Sequence, residues 1–207
     1  YKGADINVKD VWRTLTAGDN SIVVAVVDEG VKYTHPDLAA NMWTNPKESA
    51  DGTDTDGNGY VDDIHGYNFI SKGPVVWTAE GNSGHGTHCA GTIAAVNNNG
   101  QGVCGIAGGT GKGDGVRIMS CQIFDGKLGG DSRTIAEAIT YAADNGASII
   151  SCSFGYNAGD FFSDTDYINY NGSLESDAIH YFEATKNNDV LDGGIAIFAA
   201  GNDAKPY

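Results

Sequence analysis

The residues of this chain best suited to chemistry lie together in Ser83-Gly84-His85-Gly86-Thr87-His88-Cys89-Ala90-Gly91. Two imidazoles stand three positions apart among glycines, and the segment runs into the helix-forming Thr92-Ile93-Ala94-Ala95-Val96. Histidine changes charge near neutral pH, so it suits proton transfer in catalysis. Helical histidines that share a metal are usually four apart, with a glutamate between them. Here the spacing is three and no such acid is present. A loop feeding a helix would plant His88 on a rigid element at the edge of a cleft. Taken singly, each histidine also fits a structural role.

Two further sets of residues bear on the chemistry. Asp28 follows the uninterrupted run Ser21-Ile22-Val23-Val24-Ala25-Val26-Val27 and precedes Glu29-Gly30. In open α/β sheets, functional groups gather at the carboxyl ends of strands. An acid there can also simply cap a turn. The segment Asp51-Gly52-Thr53-Asp54-Thr55-Asp56-Gly57-Asn58-Gly59-Tyr60-Val61-Asp62-Asp63 carries oxygen ligands in the spacing of the first half of a calcium loop. Asp54, Asp56 and Asn58 would supply side chains, Tyr60 a carbonyl, and Asp62 and Asp63 would close the shell. His65 stands where an EF-hand needs a bidentate glutamate, so this is not an EF-hand. A hard dication would relieve the crowding of acids. Calcium is therefore the expected ligand, with a solvated acidic turn as the alternative.

The elements that must position these groups follow from patterning. The β-branched run 21–27 has the composition of a strand buried on both faces, as in a parallel sheet covered by helices. Further strands are expected at 66–70, 116–124, 147–155 and 194–200. Helices are expected at 8–15, after the histidine segment, at 132–145 with Ser132 as cap, and at 174–186. Residues 156–173 read as a polar, aromatic surface excursion. Strands alternating with helices give an α/β class: three layers, with a largely parallel twisted sheet between helices. Gly111-Lys112-Gly113 lacks the Ser or Thr and the leading glycine of a phosphate loop, so a nucleotide site is set aside.

The 207 residues fit one domain, able to bury roughly 70% of the unfolded surface. With 27 acidic against 12 basic residues, the net charge of −15 argues against a nucleic-acid partner. No apolar run reaches the roughly 18 residues of a membrane helix. Cys89, Cys104, Cys121 and Cys152 form no Cys-x-x-Cys pair and read mainly as small buried hydrophobes.

Four segments then carry a resemblance. Val26-Val27-Asp28-Glu29-Gly30, Gly84-His85-Gly86-Thr87-His88-Cys89-Ala90-Gly91, Ser153-Phe154-Gly155 and Ala199-Ala200-Gly201-Asn202 resemble, in order, the signature blocks of subtilisin-like serine proteases. The resemblance implies a serine endopeptidase working by Asp-His-Ser acyl transfer on protein or peptide substrates. It implies that Asp28 orients the ring of His88, that His88 is general base and then acid, and that His85 is structural. Asn202 would be the oxyanion donor. Ser153, Phe154 and Gly155 would pair with an extended substrate. The 54–63 loop resembles a calcium site of some bacterial members, and the location expected is secreted or cell-surface. The family's Gly-Thr-Ser-Met block does not occur in these residues. The chain is therefore expected to be the amino-terminal portion, 1–207, of a single catalytic domain whose carboxyl-terminal part is missing. It would be inactive by itself, and a missing segment of its own domain would be one of its partners. A non-catalytic protein-binding module on the same fold is the alternative.

Overall fold

The computed structural model describes residues 5–79, 84–156 and 163–202. Ser83, the end of the 71–82 loop and residues 157–162 of the expected excursion lie outside the described residues. The centre of the fold is β1, Val23–Glu29. It pairs in parallel with β4, Arg117–Asp125, on one side and with β6, Ile149–Cys152, on the other. β2, Gly66–Asn68, extends the sheet beyond β4 in parallel, and β7, Ile195–Phe198, extends it beyond β6. Two-residue strands β3, Gly73–Pro74, and β5, Leu128–Gly129, pair antiparallel with β2 and β4. The order is β3-β2-β4-β1-β6-β7.

The β-branched run of β1 is buried because both of its faces are covered. Ala25 and Val27 point into a core with Met119, Ile123, Ile139 and Phe182. Val24 and Val26 point into a second core with Leu38, Ala90, Ala94 and Ile118. Alternation of side chains along the strand makes one run of apolar residues serve both cores. The first core lies under α3, Ser132–Asp144, and α5, Leu174–Ala184; the second lies under α2, His85–Ala94. The three-layer α/β class and the largely parallel sheet expected from the sequence are what the structure shows.

Three local expectations change. The cap of α3 is Asp131, whose carboxylate accepts the Thr134 N–H, and Ser132 is already inside the helix. An Asp one residue earlier can do what a serine would have done, since both offer an oxygen to the first-turn amides. The 156–173 excursion contains a helix, α4, Asp164–Asn171, capped by Ser163. Short acidic sequence hides this turn, because its apolar pattern is weak. The strand expected at 66–70 ends at Asn68, whose side-chain oxygen accepts the Ile70 and Ser71 N–H groups and turns the chain.

Candidate active site

Parallel strands leave their carboxyl ends at one rim, and residues from all four of the segments singled out above lie there. Asp28 is the penultimate residue of β1 and is 2% exposed. Ser153 to Gly155 follow β6, and Asn202 follows β7. The helix α2 begins at His85, against the end of β1.

The imidazole that meets Asp28 is that of His85. Its Nδ1 lies 2.8 Å and 2.9 Å from the two carboxylate oxygens. A carboxylate only accepts, so Nδ1 carries the proton and, in the neutral ring, Nε2 is the basic nitrogen. This corrects the expectation for His88. That ring is exposed, and no hydrogen bond of its side chain is found among the described residues; only its backbone is bonded, through N–H to Gly84 and C=O to Thr92. The physical reason is the helix entry. Residue 85 is the first of α2 and faces the strand end, whereas residue 88, about 300° further round the helix, is turned off that contact.

Why the entry has this geometry is visible in the backbone. Gly84 precedes the helix at φ 90°, a left-handed conformation that glycine adopts without penalty. Gly86 packs so closely on β1 that a Cβ would lie 2.4 Å from the Glu29 carbonyl oxygen and 3.2 Å from the Asp28 carboxylate. Thr87 accepts the Lys32 N–H at 3.0 Å, tying the same turn to the loop after β1. Glu29 does not point away from this region, as simple alternation would have it. The register of β1 on β4 shifts here, β4 carrying the extra residue Ile123 opposite Asp28 and Glu29, and both carboxylates reach the start of α2. Glu29 Oε2 accepts the Gly84 and His85 N–H groups, each at 3.2 Å.

The pair is electrostatically asymmetric. Burial raises Asp28 above the ordinary carboxylate value, against the opposing hydrogen bond of His85. The Asp28 hydrogen bond raises His85 above its ordinary 6.5, with Asp28 and Glu29 charges adding to it. The ring side chain is 51% exposed, so it stands at an open rim. Cys89, one turn on, places Sγ 3.9 Å from His85 Nδ1. Its thiol is raised by burial, with a hydrogen bond to Ser153 opposing. Phe154 sets its ring edge-on to Phe124 and Phe198, and Gly155 is exposed. Asn202 is exposed beyond β7.

The acidic loop sorts its residues differently from the sequence expectation. Asp54 turns inward on the loop, accepting N–H groups of Gly57, Asn58 and Gly59. Asp62 accepts those of Asp51 and Gly52. Carboxylates so engaged hold the loop's shape. The acids that gather are Asp56, Asp63 and Glu48, with one oxygen of each within 4.8 Å of the others. Glu48 was not foreseen; it precedes the acidic run, and only folding brings it in. Asn45 donates to both Asp56 and Asp63 at 2.9 Å, and Asn58 donates to the same pair. Tyr60 donates its N–H to Asn58 and packs its ring edge-on against Tyr67 and Tyr141. Asp63 is fully buried, is raised by that burial, and accepts the Tyr141 hydroxyl at 2.7 Å.

Known proteins are similar to this chain in sequence and fold. The model of the subtilase family matches residues 19–207. Halolysin of Haloferax mediterranei is 34% identical over 155 residues, which is 75% of this chain and 25% of halolysin. Thermitase of Thermoactinomyces vulgaris is 34% identical over 136 residues, 66% of this chain and 38% of thermitase. Among solved structures, fervidolysin of Fervidobacterium pennivorans, a keratinolytic enzyme related to subtilisin, aligns with a TM-score of 0.57 at 26% identity. That alignment covers 94% of this chain and 23% of fervidolysin. A protease of Pseudoalteromonas arctica aligns with a TM-score of 0.57 at 29% identity, over 95% of this chain and 54% of its own. The chain thus spans only about a fifth to two fifths of the length of the curated relatives it matches. With a family model covering nearly the whole chain and a carboxylate–imidazole pair at the sheet rim, this chain belongs to the subtilase family.

Proposed function

We propose that this chain supplies the acid, base and oxyanion groups of a serine endopeptidase. The observation that carries the reading is the Asp28–His85 pair at the carboxyl rim of the sheet. Asp28 holds the ring in the tautomer that keeps Nε2 unprotonated and stabilises the imidazolium that forms. His85 takes the proton of a serine hydroxyl as it attacks the peptide carbonyl, then returns it to the leaving amine. Asn202 donates to the developing oxyanion; losing such a donor costs about 100- to 1000-fold in rate, a magnitude established in subtilisin itself. Ser153 to Gly155 pair with the extended substrate backbone by strand addition.

The hydroxyl comes from outside these 207 residues, because no Gly-Thr-Ser-Met block occurs in them. By themselves they are inactive. Cys89 does not replace it: its thiol is raised by burial, and it lies on the Nδ1 side of a ring whose Nδ1 already belongs to Asp28. The missing block is also what favours the second reading, a peptide-binding module without catalysis.

Residues Glu48, Asp56 and Asp63 fit a calcium ion. Three carboxylate oxygens converge, and one of them is fully buried with its proton affinity raised, which is the charge pattern a hard dication neutralises. Bound there, the ion would stabilise the loop and play no part in proton transfer. Operation outside the cell is supported by a relative named as a halolysin-like extracellular serine protease, of Natrialba magadii, 32% identical over 155 residues.

Fluorophosphonate labelling of the full-length protein tests the reading. Labelling is expected in the native protein and in H88A, and is expected to be lost in H85A. A native protein that never labels supports the binding module, and H85A that labels like the native form removes His85 from the mechanism.

A further inference from the structure

We propose that Glu29 is a positioning residue for the proton relay: by accepting the first backbone N–H groups of α2 it fixes where the His85 ring stands against Asp28. The inference rests on the protease reading above for its meaning in catalysis, but not for its geometry.

Three observations converge. Helix α2 has no side-chain cap of its own, since its N-cap is Gly84. The acceptor comes instead from a different element, the end of β1, through a single oxygen 3.2 Å from both Gly84 N and His85 N. The end of β1 lies beside a register shift in which β4 carries the extra residue, Ile123, between the partners of Asp28 and Glu29. Successive carboxylates thus grip the same residue, Asp28 by its ring and Glu29 by its backbone. A negative charge at a helix start is also favourable to the dipole.

Electrostatics agrees with the placement. Among the described residues, the titratable groups facing the ring are Asp28 and Glu29 from β1 and Cys89 from α2 itself. The Glu29 charge raises the His85 value alongside Asp28. Glutamine at position 29 keeps an acceptor oxygen and removes the charge, while alanine removes both, so the two roles separate.

The test compares E29Q and E29A with H85A in the full-length protein, reading kcat, KM, the pH profile of kcat/KM and the NMR titration of the His85 ring. E29A is expected to lower kcat about tenfold or more with KM changed less than about twofold, because a misplaced base slows the chemical step rather than binding. E29Q is expected to recover most of kcat, with the acid limb and the ring titration both displaced to lower pH. If E29A fails to fold, the titration in E29Q decides. The proposal is overturned if both variants leave kcat and the His85 titration unmoved, or if E29A raises KM alone, which would make Glu29 a substrate contact. Activity surviving in H85A would sink the protease reading instead, and the ring titration would still judge Glu29.

Discussion

At the scale of residues, the acid–base pair predicts its own pH dependence. His85 must be neutral to accept a proton, and its partners raise it above 6.5. The acid limb of kcat/KM is therefore expected to have its midpoint above about 6.5, and to fall to lower pH in D28N. For stability the sign is the same for both members. Each has a folded value above its unfolded one, so each favours the fold below the unfolded value and loses that contribution as pH rises through the folded value. Gly86→Ala should damage the same pair by crowding. Its Cβ would meet backbone of Glu29 at 2.4 Å, which no rotamer can relieve. A stability loss of about 1–3 kcal/mol is expected, measured by denaturant unfolding, together with up to about 100-fold in kcat if the ring moves by an ångström. The sequence made both histidines visible and could not choose between them. Their spacing of three allows either to face the sheet. The choice is made by Glu29, Thr87 and Gly86, contacts across 55 or more positions of sequence that only the fold reveals. The one local sign was Gly86 itself, a residue without a side chain immediately beside the correct ring.

At the scale of elements, legibility followed burial. Runs such as 23–27 and 116–124 announced strands because both faces are covered: the first is wholly apolar, and the second is interrupted only by Arg117, Ser120 and Gln122. β3 and β5, two residues each, have no pattern long enough to read, and the bulge at Ile123 of β4 exists only in its pairing with β1. The acidic loop was recognisable by its spacing, yet its carboxylates divided between loop backbone and cluster in a way that spacing does not encode. The calcium reading makes a measurable claim at this scale. A ligand at 100 times its dissociation constant stabilises by about 2.7 kcal/mol. Chelation is expected to lower the melting temperature, and E48Q should abolish most of that response while D54N, at a carboxylate engaged with backbone, should keep it. An equal response in wild type and E48Q would exclude the cluster as the binding site, and metal analysis would show whether a tightly held ion resisted the chelator.

At the scale of the whole molecule, the reactive pair hangs from the middle strand of the sheet. β1 has β4 and β6 on its flanks and apolar cores on both faces. Amides of 24–27 are expected to be among the slowest to exchange with deuterated water, and those of the 48–63 loop among the fast ones in the absence of calcium. Equal protection across the two would refute this ordering. The net charge of −15 makes self-repulsion a second global lever, so moderate salt should raise the melting temperature of the metal-free protein. The Tyr141 hydroxyl, buried in helix α3, reaches across to the Asp63 carboxylate. A designer who trimmed that loop to shorten the protein would strand a phenol in oil-like surroundings, at about 1–3 kcal/mol. The excision would need Tyr141→Phe made with it, two edits 78 positions apart that have to be inherited together.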